Sequence, residues 1–183
     1  MEKEYLLIIL QHFRHFKERA EKGIQQLSEE ELHWKPSEES NNIAIIIKHL
    51  SGNMHSRWVD FLTSDGEKNY RNRDLEFVDD IESKEQLMEI WEDGWRLLFH
   101  TIENLKAEDL HKTVTLRQKP LSVLQAIQNE VVHISYHVGQ ILYIGKQIKD
   151  KEWNILSIPK NGSQEFNTKL ITYKVLPNST NED

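Results

Sequence analysis

The sequence predicts an all-α protein, a four-helix bundle followed by an irregular C-terminal arm. Apolar residues recur every three to four positions in four long segments, which is the spacing of one buried face on a helix. Three segments also have the form of capping boxes, in which a serine is followed three residues later by Glu or Gln: 28–31, 83–86 and 122–125. A chain of 183 residues that contains four amphipathic helices can bury one substantial core.

The N-terminal third of the chain contains the first two long helices of this prediction. The first covers residues 2–26, with an apolar stripe that includes two phenylalanines. The capping box at 28–31 begins one short helical turn, which ends before a proline. Asn41 or Asn42 caps the second long helix, residues 43–63.

The middle of the chain contains a polar segment and then a third helix. Residues 64–82 are polar and irregular, and long loops of this kind in compact domains are usually functional or mobile. The third helix covers residues 83–105 and places Trp91 and Trp95 on its apolar stripe. Gly94 lies between the two tryptophans, which predicts the close approach of a neighbouring element.

The last part of the chain contains the fourth helix and the arm. Threonine alternates with apolar residues at 113–116, which is typical of a short strand or an extended connector. The fourth helix follows at 122–148. After this helix the apolar residues no longer recur at helical spacing. The predicted organisation is therefore a metal-binding bundle, 1–150, and an arm, 151–183, that packs on the bundle or on a partner and has a disordered end at 178–183.

Composition limits the classes of function. The formal charge is −7 and the pI is about 5.7, which argues against a general nucleic-acid binder. No run approaches the roughly 18 apolar residues that cross a membrane, and the N-terminus lacks the form of a signal peptide, so we expect a cytoplasmic protein that does not insert in membranes. Without cysteine, a bound metal needs His, carboxylate or water ligands, and thiol chemistry needs an external thiol.

A pair of histidines on the fourth helix is the main chemical feature. His133 and His137 are four residues apart, on one face of the helix and beside its buried stripe. The pair alone has little specificity, since the chain contains nine histidines. His49 on the second helix can converge with them in a bundle. Three neutral imidazoles bind a divalent metal at about 2.0–2.1 Å and leave coordination positions open, as catalytic rather than structural sites do.

Four further polar residues are weaker candidates for catalysis. Glu130 can orient an imidazole or act as a general base, with a solvated carboxylate as the alternative. Asn53 and Gln140 can bind a metal-bound water or a substrate carbonyl, with hydrogen bonds between helices as the alternative. Arg57 can bind an anionic substrate, with a structural ion pair as the alternative.

Two histidine-containing stretches and the start of the arm carry a resemblance to a known family. They are 47–54 with 57–58, 133–141 and 153–159. Together they resemble the DinB-like (DinB/YfiT) superfamily and, more narrowly, its bacterial branch DUF1572. The resemblance implies a bundle of up-down-down-up topology. It also implies one metal ligand from the second helix and two from the fourth, which are His49, His133 and His137 here.

The resemblance also suggests a class of reaction. Relatives include metal-dependent transferases and isomerases that use low-molecular-weight thiols such as bacillithiol or mycothiol. We therefore expect a divalent-metal-binding protein that acts on a small molecule as a metal-dependent thiol S-transferase or hydrolase, with Zn or Ni favoured and Fe or Mn compatible. Two alternatives stay open: a non-catalytic metalloprotein with a structural or sensory site, and a bundle without metal. The sequence is also compatible with a homodimer.

Overall fold

The computed structural model describes residues 1–171, with side chains through Thr168, and the described part of the chain is mostly helical. The prediction of a mainly α-helical protein is confirmed. Its α-helices and strands are α1 (Glu2–Ile24), α2 (Glu29–Leu32), α3 (Ile43–Trp58), α4 (Lys84–Asn104), β1 (Thr113–Leu116), β2 (Lys119–Ser122), α5 (Val123–Lys149) and α6 (Ser163–Ile171).

The helix boundaries follow the sequence signals closely, with one exception. The capping boxes at the starts of α2 and α5 are both formed, and the Asn42 side chain caps α3 by accepting the Ile45 N–H. However, α3 ends at Trp58, before the predicted residue 63. Val59 is extended and Asp60 has a φ of 47°, so the backbone leaves the helical conformation there.

The long segment between α3 and α4 lets these two helices run in the same direction. Gly94 of α4 lies against Ser51 of α3, and one to two turns further along both helices the Thr101 hydroxyl donates to the Trp58 carbonyl at 3.1 Å. A β-carbon at Gly94 would lie 3.0 Å from the Ser51 Cα, which confirms the close approach predicted from this glycine.

Helices α1 and α5 form the second parallel pair. Tyr5 donates to Gln128 at 3.4 Å near the start of both helices, and Gly23 contacts Leu142 further along both. The N-terminal helix is thus held along its length by the helix that carries two of the candidate histidines.

Aromatic side chains fill the core between these helices. Phe13, Trp58, Trp91 and Trp95 are each at most 2% exposed. The Trp95 ring contacts Phe13 and Trp91 edge-on, with ring centres 6.3 and 5.3 Å away. Buried aromatics contribute large apolar areas, so this cluster holds α1, α3 and α4 together.

A short hairpin precedes α5. The strand predicted at 113–116 is present as β1, whereas β2 was missed because it contains Pro120, a residue that normally argues against a strand. The two-residue turn consists of Arg117 and Gln118, which have φ values of 52° and 62°, as a type I′ turn requires. Asp65 from the loop after α3 accepts both of their backbone N–H groups at 2.8 Å.

The chain divides into two compact units, Met1–Trp153 and a second that starts at Asn154. The second unit contains α6, so the arm predicted as irregular includes a helix. The proposed packing of this arm stays a prediction, and the end predicted to be disordered, 178–183, lies outside the described residues. None of the described helices has both the length and the apolar character that crossing a bilayer requires.

Candidate metal centre

Three histidines from two helices converge at one point. One possible ligand nitrogen from each of His49, His133 and His137 lies within 4.8 Å of the others. The Nε2 atoms of His49 and His133 are 3.2 Å apart, and the His137 ring centre is 5.0 and 4.8 Å from the other two. Two nitrogens that share one tetrahedral ion at about 2.0–2.1 Å are about 3.4 Å apart. The first pair therefore has the spacing of metal ligands.

The antiparallel packing of α3 against α5 creates this convergence. His49 lies opposite His133, and two turns later on α3 Arg57 lies opposite Glu130, which precedes His133 on α5. The side of α3 that carries His49 and Arg57 therefore faces the helix of His133 and His137, and Asn53, which lies between these two residues on α3, is only 3% exposed.

The outward nitrogen of each imidazole contacts a hydrogen-bond acceptor. The Nδ1 contacts are His49 with Glu76 at 2.9 Å, His133 with Glu130 at 3.4 Å and His137 with Gln140 at 2.8 Å. When Nδ1 donates to such an acceptor, Nε2 carries the lone pair. This orientation is the usual one for histidine that binds metal.

The donor set fits a divalent cation. With Nδ1 as the donor on both rings, the Nε2 lone pairs of His49 and His133 face each other at 3.2 Å, an arrangement that a cation between them stabilises. Imidazole suits Zn, Ni, Fe and Cu. The group could therefore hold a metal ion.

The protonation state of the third imidazole also suits metal binding. Burial, together with the neighbouring His133 and His49, lowers the pKa of His137 to about 4, although the hydrogen bond with Gln140 acts in the opposite direction. The ring is consequently neutral at pH 7. Metal binding requires the neutral form, so no proton has to leave His137 first.

The centre is accessible from one side. His49 and His133 are 6% and 9% exposed, whereas His137 is partly exposed and the neighbouring Tyr136 is half-exposed. The Tyr136 ring lies 4.4 Å from the His137 ring, and burial raises the pKa of its hydroxyl. A small ligand can therefore approach along the His137 side.

Two residues that support His49 were missed from the sequence. Glu76 is 6% exposed and lies in the 64–82 loop, where Arg71 binds both of its carboxylate oxygens at 2.7 and 2.9 Å. Burial acts to raise the pKa of Glu76, but hydrogen bonds from His49 and Arg71 outweigh it, so the pKa lies below its ordinary value. Gly52 was the available signal, because a glycine inside a helix near His49 indicates the close approach of another group.

The four weaker candidates have different surroundings. Glu130 is completely buried, and its Oε2 is 3.6 Å from an Arg57 nitrogen, too far for a hydrogen bond. Glu130 Oε2, Arg57 Nε and Asn53 Oδ1 are buried and have no hydrogen-bond partner among the described residues. Gln140 instead contacts His137 at the exposed side. A catalytic role for any of the four stays a prediction.

The fold and the site together define a mostly helical protein in which three histidines could hold a metal ion. The chain matches a family model described as "Protein of unknown function (DUF1572)" over residues 1–162. It therefore belongs to the DUF1572 family, as the resemblance of its histidine-containing stretches predicted. No curated protein matches the chain.

Proposed function

We propose that this protein is a metalloprotein of the DinB-like superfamily. Its four long helices would form an up-down-down-up bundle, which is supported by the parallel pairs α1 with α5 and α3 with α4 and by the antiparallel contact of α3 with α5. His49, His133 and His137 would be the ligands of one divalent ion. Zn or Ni is the preferred ion, and Fe or Mn is compatible.

The proposed role of the ion is catalytic, and one observation carries this choice. The described group contains three imidazoles and is partly exposed at His137, which matches an open site better than the closed four-ligand shell of structural zinc. An ion held there would supply Lewis acidity and would favour the thiolate form of a thiol substrate.

The protein's own residues would bind and orient the reactants. Glu76 and Gln140 hold His49 and His137 in the tautomer that binds metal. Glu130, whose Oε2 forms no hydrogen bond with any described residue, would accept a proton or a hydrogen bond from a bound group. As the family resemblance implies, the nucleophile would be an external low-molecular-weight thiol such as bacillithiol, transferred to a small electrophile. The absence of cysteine from the chain is compatible with this scheme.

Metal content is the first test. The untagged protein should contain about one transition-metal ion per chain by mass spectrometry, and His133→Ala should contain far less. His12→Ala is the matched control, because His12 is exposed on α1 and distant in sequence from the site. A wild-type protein that takes up no Zn, Ni, Fe or Mn on reconstitution contradicts the proposal.

Turnover then separates catalysis from the structural alternative. A catalytic site predicts metal-dependent consumption of a thiol and an electrophile that His133→Ala loses. A site that only joins α3 to α5 predicts a filled coordination shell by X-ray absorption and a large fall in melting temperature on chelation, without turnover.

A further inference from the structure

The three imidazoles are supported by different parts of the chain. His133 and His137 contact Glu130 and Gln140, which lie within one turn on the same helix. His49 instead contacts Glu76, 27 residues away in the loop between α3 and α4. One ligand of the centre is therefore oriented by a segment whose position depends on tertiary structure alone.

The Glu76 carboxylate is fixed in place by two partners. Arg71 donates from Nε and from a terminal nitrogen to the two oxygens, in the bidentate geometry that guanidinium and carboxylate favour. The Arg71 side chain is only 5% exposed. Phe77, the next residue after Glu76, places its ring 5.2 Å from the His49 ring. The loop thus contacts His49 by a hydrogen bond and by ring packing.

Gly52 provides the surface on which this carboxylate rests. A β-carbon at Gly52 would lie 2.5 Å from Glu76 Oε1 and 2.8 Å from its carboxyl carbon. The φ of Gly52 is not positive, so the helix itself does not require glycine there. Gly52 lies three residues after His49 on α3, and its lack of a side chain is what allows Glu76 to approach.

We propose that Glu76 and Arg71 are positioning residues for the metal centre, and that docking of segment 67–77 on Gly52 and binding of a divalent ion by the three histidines stabilise each other. This inference rests on the proposed metal binding. Coupling of this kind is reciprocal: an ion that needs His49 in its docked orientation must also hold the loop that orients it. Zinc should therefore order segment 67–77, and loss of docking should weaken zinc binding.

The experiment compares two glycine substitutions inside helices. Gly52→Ala places a methyl group where the Glu76 carboxylate lies. Gly139→Ala adds one on α5 where, apart from the adjoining backbone of the helix, no atom of the described residues lies within 4 Å. Zinc affinity is measured by competition with a chromogenic chelator, and amide hydrogen exchange of segment 67–77 is followed with and without zinc. The unfolding midpoint of each zinc-free variant shows that it is folded.

Wild type and Gly139→Ala should bind zinc equally and show slower exchange in segment 67–77 when zinc is present. Gly52→Ala should bind zinc about 10- to 100-fold more weakly and lose this zinc-dependent protection. Should Gly52→Ala not fold, Glu76→Gln replaces it, because glutamine keeps the size of the side chain but cannot form the bidentate pair with Arg71.

Two results would overturn the inference. The first is equal zinc affinity in Gly52→Ala, or in Glu76→Gln, and in wild type. The second is zinc binding that leaves exchange of segment 67–77 unchanged. Failure of wild type itself to bind zinc is a different outcome, since it removes the proposed metal centre as well.

Discussion

Two sets of Arg, Glu and His side chains meet at the candidate metal centre, and they differ in how completely their polar atoms are paired. The tight set is Arg71, Glu76 and His49, with hydrogen bonds of 2.7–2.9 Å throughout. The loose set is Arg57, Glu130 and His133, with contacts of 3.6 and 3.4 Å. Both carboxylates are buried, so burial does not explain the difference.

The difference indicates a division of roles. In the tight set every carboxylate oxygen has a donor, as buried polar groups normally do. In the loose set Glu130 Oε2 and Arg57 Nε are buried without a hydrogen-bond partner in the described part of the chain, and the ion pair at 3.6 Å compensates Oε2 only in part. A buried polar group without a hydrogen bond costs up to about 1–3 kcal/mol. Residual cost of this kind is typical of functional sites. The tight set therefore supports His49, and the unsatisfied atoms of the loose set are consistent with the ligand-binding role proposed for Glu130.

Removal of each arginine should give the largest difference in stability between the two sets. Arg71→Ala leaves the Glu76 carboxylate buried beside His49 without its bidentate partner, so we expect the zinc-free protein to lose about 3–5 kcal/mol of unfolding free energy. Arg57→Ala also leaves a buried carboxylate without its cation, but the lost ion pair is long, at 3.6 Å, and includes no hydrogen bond, so the cost should be smaller, about 2–3 kcal/mol. Urea unfolding measures both values, and equal losses would contradict the distinction between the sets.

Replacement of each glutamate by glutamine, which is neutral and of the same size, tests the same difference without creating a cavity. Glu76→Gln loses charge-assisted hydrogen bonds from Arg71 and should destabilise the zinc-free protein by about 2–3 kcal/mol. Glu130→Gln removes a poorly paired buried charge and should change stability by less than about 1 kcal/mol. Thermal and urea unfolding of the two isosteric variants provide the measurement. A larger loss for Glu130→Gln would show that its carboxylate is the better stabilised one.

The two sets also differ in how far the sequence revealed them. The loose set lies on two helices, and Arg57, Glu130 and His133 were all candidate site residues in the sequence, although no signal paired Arg57 with Glu130. The tight set includes Arg71 and Glu76 from the segment between α3 and α4. Glu76 lies there on a single 3₁₀ turn, Asp74–Phe77, which is too short for a helical period to relate it to a partner. Glu76 contacts His49 across 27 residues, a contact that only the tertiary structure determines.

The same reason separates the parts of the fold that were predicted from those that were not. Capping boxes and apolar stripes are local signals, and they located the ends of α1, α4 and α5 to within two residues. The early end of α3 depends on Val59 and Asp60, which have no strong local preference for leaving a helix. Strand β2 forms because β1 pairs with it, despite Pro120.

The pH dependence of stability can distinguish the attachment of the loop to the hairpin through Asp65 from the contact of Glu76 with His49. Asp65 holds the same loop to the hairpin, and the hydrogen bond from the Gln118 backbone N–H, with those from Glu67 and Arg117, lowers the pKa of Asp65 to about 2. Because the folded-state pKa is below the unfolded value of 3.8, this stabilisation is full above about pH 4 and is lost as the pH falls towards 2.

Asp65→Asn should consequently be about 1–2 kcal/mol less stable than wild type at pH 7, after allowance for partial exposure of the carboxylate. The difference should disappear near pH 2. Urea unfolding at a series of pH values measures it. A difference that persists unchanged at pH 2 would mean that the aspartate charge is not what holds the turn.

The smallest expected effect on stability comes from Gly139→Ala, on the helix that carries Glu130 and His133 of the loose set. Gly139 lies inside α5 and has a φ that is not positive. A β-carbon there would have no described atom within 4 Å other than the nearby backbone of its own helix. Alanine loses less backbone entropy on folding, so Gly139→Ala should raise unfolding free energy by about 0.5–1 kcal/mol.

At Gly52 the same gain in helix propensity is opposed by the clash with Glu76, and Gly52→Ala should destabilise the protein. Opposite signs for one substitution in two helices would show that the loop packs closely on α3 and leaves this face of α5 open. A stabilising Gly52→Ala would instead mean that Glu76 moves away without loss, and the tight set would no longer differ from the loose one.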